Sequence, residues 1–307
     1  MDLRRAGFTA PRAGCPLAAC RRHRCAGNTP TQPLIDMVFV VADNEHGPQL
    51  WPNRFADAVG SPGPGLSRDQ CRCVGYSGRT RTDEVQFHRD RQDTASEGWQ
   101  HLLALVDEAA ADGRPVFKPL VGMSAVERRQ VVTLPPTIVK LTQVRHFVLY
   151  GSNLVRIPPE IGAMAGLEVF EPYTSHRLHW YPYELTRCTK LRDSTVSTRV
   201  LFGNFKHRPP FPALRPITTA ADTDFDALDP GVWGADAVRT CSVCDRQIGD
   251  QLHQVWISRA VGTDVLPLLV NACSAACVAA LPASAPGYVP TPHTGGPAIT
   301  QPDAHYR

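Results

Sequence analysis

The chain has 307 residues, of which 43% are hydrophobic and 20% are charged, and its formal net charge is +3 at pH 7. This length predicts two domains, or one domain with appendages, and the apolar fraction suffices for a buried core. The sequence contains no run of about 18 apolar residues, so no transmembrane helix is predicted. The small net charge does not by itself indicate a polyanionic partner.

The basic residues and the N-terminus bear on source and location. Only four of the 32 Lys and Arg residues are lysines, a bias typical of GC-rich coding sequences, so we expect a bacterial protein.

The segment 17–20 has the letters of a lipoprotein cleavage box, but Pro11, Arg12 and Pro16 interrupt the apolar run that should precede it. We therefore expect a cytoplasmic protein with no membrane association.

The first 93 residues contain few signals of regular structure. Residues 1–36 are rich in Arg, Pro and Cys and lack apolar periodicity, so they are predicted to form a disordered leader. An alternative start at Met37 would remove this leader. Residues 37–93 are predicted to form an irregular N-terminal region, with one plausible strand directly after Met37.

The first well-marked element is a helix over residues 94–112. Thr94 and Glu97 have the spacing of a capping box, and Gly113 is placed to end the helix. An apolar stripe lies on one face and comprises Trp99, Leu102, Leu103 and Val106. A short strand at 115–117 and a second short helix at 124–129 are predicted to follow.

A periodic pattern follows between residues 134 and 191. Three dipeptides with proline in second place recur 23 and 24 positions apart: Leu134-Pro135, Ile157-Pro158 and Tyr181-Pro182. Apolar residues keep the same spacing at Val144, Leu167 and Leu191. A fixed period in this range predicts one repeated supersecondary unit, stacked so that each copy buries its apolar face against its neighbours.

This pattern resembles the leucine-rich repeat. The resemblance implies a mixed α/β fold, in which residues 94–216 form a short solenoid with the helix at 94–112 as its N-terminal cap. The buried positions of the first turn would be Val144, Phe147, Leu149, Leu154, Ile157 and Ile161. Ser152 and Ser175 stand near the positions where the family has an asparagine ladder, and Ser194 replaces an expected apolar residue.

The resemblance also implies which residues would face a partner. The variable strand positions would lie on the concave face: His146, Val148, Tyr150, Val169, Glu171, Tyr173, Asp193, Thr195 and Ser197. This mixture of aromatic and polar residues suits contact with a protein or peptide, because tyrosine combines apolar area with a hydrogen-bonding tip. A solvated sheet without a partner is the alternative.

Charge is unevenly distributed after the periodic segment. Residues 187–215, here called the basic strip, contain seven Lys and Arg residues and one Asp. Residues 217–237 are predicted to form an acidic linker. The strip could be a solvated edge, a surface on which the acidic linker folds back, or a phosphate-binding strip.

Residues 238–283 are predicted to form a small metal-stabilised module. Cys241, Cys244, Cys273 and Cys277 have the spacing C-x2-C…C-x3-C, and four thiolates suit a closed structural Zn²⁺ site. Two β-prone runs joined at 262–264 predict a hairpin, and a helix is predicted to begin at Cys273. The order of knuckle, hairpin and helix resembles treble-clef and zinc-ribbon modules. Four thiols without metal, or His253 as a substitute ligand, are the alternatives.

The motifs of common enzymes are absent from the sequence. It contains no G-x-x-x-x-G-K-[ST], G-x-S-x-G or H-E-x-x-H motif, so we expect a protein that is not an enzyme. The Pro- and Gly-rich residues 284–307 are predicted to form a disordered tail. The leading hypothesis is therefore a protein-interaction protein with a structural zinc module. The alternative is a zinc-dependent nucleic-acid-binding accessory protein that uses the basic strip.

Overall fold

A computed structural model of the chain describes residues 85, 87–88, 90–214, 240–249 and 251–303. All of these lie in one compact unit, Asn53–Arg307. The predictions for the leader at 1–36, for most of the region 37–93 and for the acidic linker at 217–237 fall outside the described residues. The domain boundaries remain predictions.

The described residues form a mixed α/β structure with two sheets and few helices. In chain order the elements are α1 (Glu97–Asp112), β1 (Val116–Phe117), α2 (Ala125–Gln130), β2 (His146–Val148), β3 (Val169–Glu171), β4 (Tyr181–Pro182), β5 (Asp193–Ser194), β6 (His253–Val261), β7 (Asp264–Ala272) and α3 (Ala275–Ala279). The strands lie in a four-stranded parallel sheet with order β1-β2-β3-β5 and a three-stranded mixed sheet with order β4-β7-β6.

Helix α1 ends where the sequence predicts but begins later. Gly113 adopts a left-handed conformation (φ 67°) and terminates the helix. The predicted capping box of Thr94 and Glu97 is wrong, because Ser96 is the N-cap and caps no backbone group with its side chain. Asp93 accounts for the shift, since its carboxylate accepts from the N–H of Ala95 and its carbonyl accepts from the Ser96 hydroxyl.

A capping box does form at the next helix. The hydroxyl of Ser124 accepts from the backbone N–H of Glu127, and the Glu127 carboxylate accepts from the N–H of Ser124. These bonds satisfy two donors that a helix start would otherwise leave unpaired, which fixes the start of the six-residue α2.

The parallel sheet follows the period of the sequence. His146 on β2 pairs with Val169 on β3, which in turn pairs with Asp193 on β5. Three 3-10 helices recur with the same period before these strands or between them, at Pro136–Lys140, Pro159–Ala163 and Tyr183–Arg187. Residues 116–200, here called the repeat region, therefore place equivalent positions side by side.

The core of the repeat region consists of these equivalent positions. Val144, Phe147, Leu149, Leu154, Ile157 and Ile161 are all buried, as predicted. The rings of Phe117 and Phe147 lie 5.5 Å apart between centroids, and those of Phe147 and Phe170 lie 6.1 Å apart. Cys188 is also buried and donates its S–H to the carbonyl of Ile161. Each copy thus packs its apolar side chains against the next.

Two serines connect successive copies in the buried interior. The hydroxyls of Ser152 and Ser175 lie 2.7 Å apart, and the Ser175 hydroxyl also accepts from the Ser152 N–H. Ser175 can further donate to the carbonyl of Leu149. This pair satisfies backbone groups that would otherwise be buried without a partner.

The second sheet is built on a long hairpin. Strands β6 and β7 pair antiparallel over their full nine residues and are joined by a turn at Gly262 and Thr263. Gly262 has φ 60°, and an added Cβ would lie 2.9 Å from the Ser194 nitrogen, so a side chain at this position is excluded. Residues 240–281, here called the hairpin region, thereby contact the last strand of the parallel sheet.

The two regions share one buried cluster. Tyr181-Pro182 of β4 pairs in parallel with Leu268-Leu269 of β7. Leu185 from the repeat region and Leu266, Leu268 and Val270 from β7 lie in the same hydrophobic cluster. The hairpin therefore buries one face against the repeat region.

Residues 284–303 contact the outer edge of β6. Trp256 and His293 exchange two backbone hydrogen bonds of 2.8 and 3.1 Å, and the N–H of Ala285 donates to Ser258. His293 is buried and packs edge-on against Phe211. No helix of the described part of the chain combines the length and the apolar composition needed to cross a bilayer.

Candidate metal centre

The first two cysteines lie on a tight turn that the backbone closes on itself. The N–H of Cys241 donates to the carbonyl of Arg246 (2.8 Å), and the N–H of Asp245 donates to the carbonyl of Cys241 (3.1 Å). Asp245 adopts a left-handed conformation with φ 61°. This turn, residues 241–246, is here called the knuckle, and it brings Cys241 and Cys244 to one side.

The other two cysteines lie where β7 passes into α3. Ser274 is the N-cap of α3, and its side chain accepts from the N–H of Cys277 (3.2 Å). Cys273 directly precedes this cap, so one helical turn places its thiol beside that of Cys277. The predicted hairpin and helix are confirmed, although α3 begins at Ala275 rather than at Cys273.

The four sulfur atoms form a cluster of metal-binding size. All four lie within 4.8 Å of one another, and Cys273 Sγ is 3.6 Å from both Cys244 Sγ and Cys277 Sγ. Metal–sulfur bonds of about 2.3 Å would place tetrahedral ligands about 3.8 Å apart. Among the described residues, this is the one cluster of at least three His, Cys, Asp or Glu side chains with such spacing. The cluster can hold a metal ion.

The backbone around the cluster favours a thiolate at Cys241. Burial opposes ionisation there, but N–H groups of Cys273, Cys244 and Val243 outweigh it and lower the pKa of Cys241 to about 7. Neighbouring thiols have the opposite effect on Cys273, whose pKa they raise to about 12, with Cys244 contributing most. Without a cation the four sulfurs cannot all ionise together, and a bound metal supplies that charge.

His253 is not part of this cluster. It begins β6, is half-buried and pairs in register with Ala272 at the base of the hairpin. The metal-ligand set among the described residues is therefore four cysteines, all of which have free thiols.

Hydrogen bonds and an ion pair that the cysteine spacing does not indicate also support the knuckle. The Ser242 side chain accepts from the N–H of Asn271 (2.9 Å), and the N–H of Ser242 donates to the Asn271 carbonyl (2.7 Å). Arg187 donates to the carbonyl of Ser242 and pairs with Asp245. Because Arg187 lies 55 residues from Ser242, no local spacing could have indicated this contact.

Five of the predicted partner-binding residues lie on the parallel sheet, where they form two rows. The first row is His146, Val169 and Asp193, and the second places Val148 opposite Glu171. Val148 is only 6% exposed, so its side chain is not available at the surface. It lies on the interior strand β2, which is flanked by β1 and β3. The remaining eight, here called the strand face, are half-buried or exposed: His146, Tyr150, Val169, Glu171, Tyr173, Asp193, Thr195 and Ser197.

Two tyrosines dominate the strand face. Tyr150 is 37% exposed and Tyr173 is 44% exposed, and their ring centroids lie 6.0 Å apart at 45°. His146 Nε2 lies 3.3 Å from a carboxylate oxygen of Glu171 nearby. The face therefore presents adjacent aromatic surface bordered by polar groups.

The basic strip is partly engaged with other parts of the protein. Arg192 pairs with Glu168 and Asp193, and Arg208 donates to the carbonyls of Gly203, Gly287 and Asp303. Together with Arg187, at least three basic side chains of the strip thus bind acceptors within the described part of the chain. Arg215, at the end of the strip, lies outside the described residues.

Comparison with known proteins gives no relative for this chain. No protein-family model matches it, and no curated protein and no solved structure matches it either. Its function is therefore inferred from its own residues and their geometry.

Proposed function

We propose that the chain is a non-enzymatic, cytoplasmic protein-interaction protein that binds a protein or peptide on the strand face. The observation that carries this proposal is the exposed pair of Tyr150 and Tyr173, which lie side by side two residues after the adjacent parallel strands β2 and β3 end. Tyrosine supplies large contact area at low conformational cost and is enriched at protein interfaces. A rigid sheet that displays two such rings suits recognition.

The repeat region is, in this proposal, a short leucine-rich-repeat solenoid capped by α1. Support comes from the recurrence of strands and 3-10 helices every 23 or 24 residues and from the parallel register. Further support comes from α1, whose buried Leu102 and Val106 belong to the same cluster as the repeats. Such architectures present their strand surface to partners.

The metal is, in this proposal, a structural Zn²⁺ ion held by Cys241, Cys244, Cys273 and Cys277. Tetrahedral sulfur sites select zinc or iron, and four protein ligands leave no position for a catalytic water. The ion's contribution would be stabilisation of a small module that has little core of its own. The free thiols of all five described cysteines are consistent with a reducing, cytoplasmic location.

The test compares affinity enrichment by wild-type protein with that by a variant carrying Tyr150→Ala and Tyr173→Ala. Captured proteins are then purified and titrated against both forms by calorimetry. We expect binding to weaken at least tenfold in the variant, because truncation of an aromatic anchor at an interface costs more than about 1 kcal/mol.

The matched control is Val126→Ala, which truncates an exposed side chain on α2, away from the strand face. A partner that binds the tyrosine variant as tightly as wild type would overturn the proposal. The nucleic-acid alternative is weakened because Arg187, Arg192 and Arg208 already bind acceptors. Retention on DNA or RNA with a steep salt dependence would instead favour that alternative.

A further inference from the structure

We propose that Arg187 and Ser242 are positioning residues of the metal centre, through which the repeat region holds the knuckle in its metal-binding geometry. This inference rests on the metal site of the proposed function but not on its partner surface. It implies that metal affinity depends on a side chain outside the cysteine module, on the last turn of a 3-10 helix of the repeats.

Arg187 contacts the knuckle on both sides of Cys244. Its guanidinium donates to the carbonyl of Ser242 (3.0 Å) and lies 2.5 Å from a carboxylate oxygen of Asp245. Asp245 is the residue whose left-handed backbone closes the knuckle. Both contacts are made by one guanidinium nitrogen, Nη2, which therefore holds the carbonyl and the carboxylate close together. The lysine side chain carries its donors on a flexible stem and would hold the two acceptors less firmly.

Ser242 joins the two halves of the metal site. It lies between Cys241 and Cys244, is buried, and exchanges two hydrogen bonds with Asn271, two residues before Cys273. A hydrogen bond with Ser242 also opposes the rise that burial imposes on the pKa of Glu184. Ser242 therefore connects both cysteine pairs to the 3-10 helix that carries Glu184 and Arg187.

That helix has little freedom to move away. An added Cβ at Gly162 would lie 2.7 Å from the carbonyl oxygen of Glu184, so the 3-10 helices of adjacent copies are in close contact. The strand that directly precedes the helix pairs with β7. The position of Arg187 is thus fixed by the repeat region, and the knuckle is fixed by Arg187.

Outer contacts of this kind orient ligands and raise metal affinity, and their loss typically weakens binding about 10- to 100-fold. The test uses the full chain, stripped of metal under reducing conditions and titrated with Co²⁺ against a competing chelator. Thiolate–Co²⁺ absorption bands report both affinity and ligand geometry. We expect Arg187→Ala to weaken Co²⁺ binding about tenfold and to alter the bands.

Two further variants separate positioning from general destabilisation. Arg187→Lys should recover part of the affinity, because a lysine can reach one acceptor. Arg192→Ala removes an exposed ion pair with Glu168 that does not involve the knuckle, and should leave binding unchanged. Equal affinities in Arg187→Ala and wild type, or an equal loss in Arg192→Ala, would overturn the inference.

Ser242→Ala provides an independent measurement. It leaves the N–H of Asn271 without its acceptor, so we expect a loss of Co²⁺ affinity at least as large as that of Arg187→Ala. Unchanged affinity in this variant would also count against the inference. If the wild-type protein itself gives no thiolate–Co²⁺ bands, this inference and the structural zinc site of the proposed function are both wrong.

Discussion

The repeat region and the hairpin region obtain order in different ways. In the repeat region the strands have two or three residues each, and buried side chains recur every 23 or 24 residues. In the hairpin region two nine-residue strands pair along their whole length, but the knuckle and the five-residue α3 have few buried residues. Order in the first comes from repeated apolar contacts. In the second, apolar contact with the repeats orders the hairpin, whereas the knuckle and α3 meet at the four-cysteine cluster.

This difference separates two kinds of vulnerability. A side chain lost from the repeat core leaves a cavity in a structure that is otherwise supported by its neighbours. A ligand lost from the cysteine cluster disrupts the group of thiols that brings the knuckle and α3 together. The two regions should therefore respond differently to single substitutions, and three experiments test that difference.

The largest effect is expected from the double variant Cys241→Ser, Cys244→Ser. Structural zinc sites in small modules supply about 10–16 kcal/mol of apparent binding free energy, so we expect bound metal to be lost and the knuckle and α3 to unfold. Metal analysis and amide hydrogen exchange measure both. Protection should disappear at 241–246 and in α3 but persist in β2 and β3.

The outcome is informative in either direction. Unchanged metal content would contradict the assignment of the ligands. Loss of protection throughout β2 and β3 would contradict the contrast between the regions, because the repeats would then depend on the metal as much as the knuckle and α3 do. Cys188→Ser is the control, since Cys188 is buried in the repeat core rather than in the cluster.

Leu167→Ala probes the repeat region in the same terms. Leu167 is fully buried at a position that recurs with the 23-residue spacing, so its truncation should lower the free energy of unfolding by about 2–5 kcal/mol. Urea denaturation measures the change, and Val139→Ala, at a side chain 41% exposed, should cost far less. Metal content should stay unchanged, and a negligible cost would contradict the register.

The periodic residues allowed much of this to be predicted from the sequence. The spacing of Val144 and Leu167 predicted buried positions in adjacent copies, and Gly262-Thr263-Asp264 predicted the turn of the hairpin. The four cysteines were indicated by spacing alone, since C-x2-C and C-x3-C each bring two thiols to one side of a short segment. These are local signals, which a single sequence contains in full.

Contacts between distant segments could not be predicted from such local signals. Arg187 and Ser242 lie 55 residues apart in the sequence, and the cysteine spacing around Ser242 does not indicate a contact with Arg187. The contacts of residues 284–303 with β6 also carry no compositional signal, because prolines and glycines that pack without regular structure have the composition expected of a disordered tail. The start of α1 was misplaced because Asp93 and Ser96 form a turn that competes with capping.

The sequence pattern marks Ser194 as an exception, and the structure shows the reason for it. In the repeat pattern it stands where an apolar residue is expected, and it is nevertheless buried. Its hydroxyl accepts from the N–H groups of Thr263 and Asp264 (3.2 Å each) and lies 2.9 Å from the Asp264 carboxylate. The departure from the pattern therefore marks the place where the hairpin turn meets the last strand of the repeats.

Ser194→Ala tests this junction and has the smallest expected effect of the three. It leaves two part-buried N–H groups without their acceptor, so the free energy of unfolding should fall by about 1 kcal/mol, whereas Thr195→Ala at the exposed neighbouring position should cost little. Burial raises the pKa of Asp264, and the hydrogen bond from Ser194 opposes that rise. The loss should therefore be greatest above this pKa, where the carboxylate is ionised, and smaller in acid. If the amide hydrogens of β5 and of the hairpin turn exchange at different rates in this variant, the side chain of Ser194 couples these two segments. A variant as stable as wild type would show that the shared apolar cluster alone suffices to hold them together.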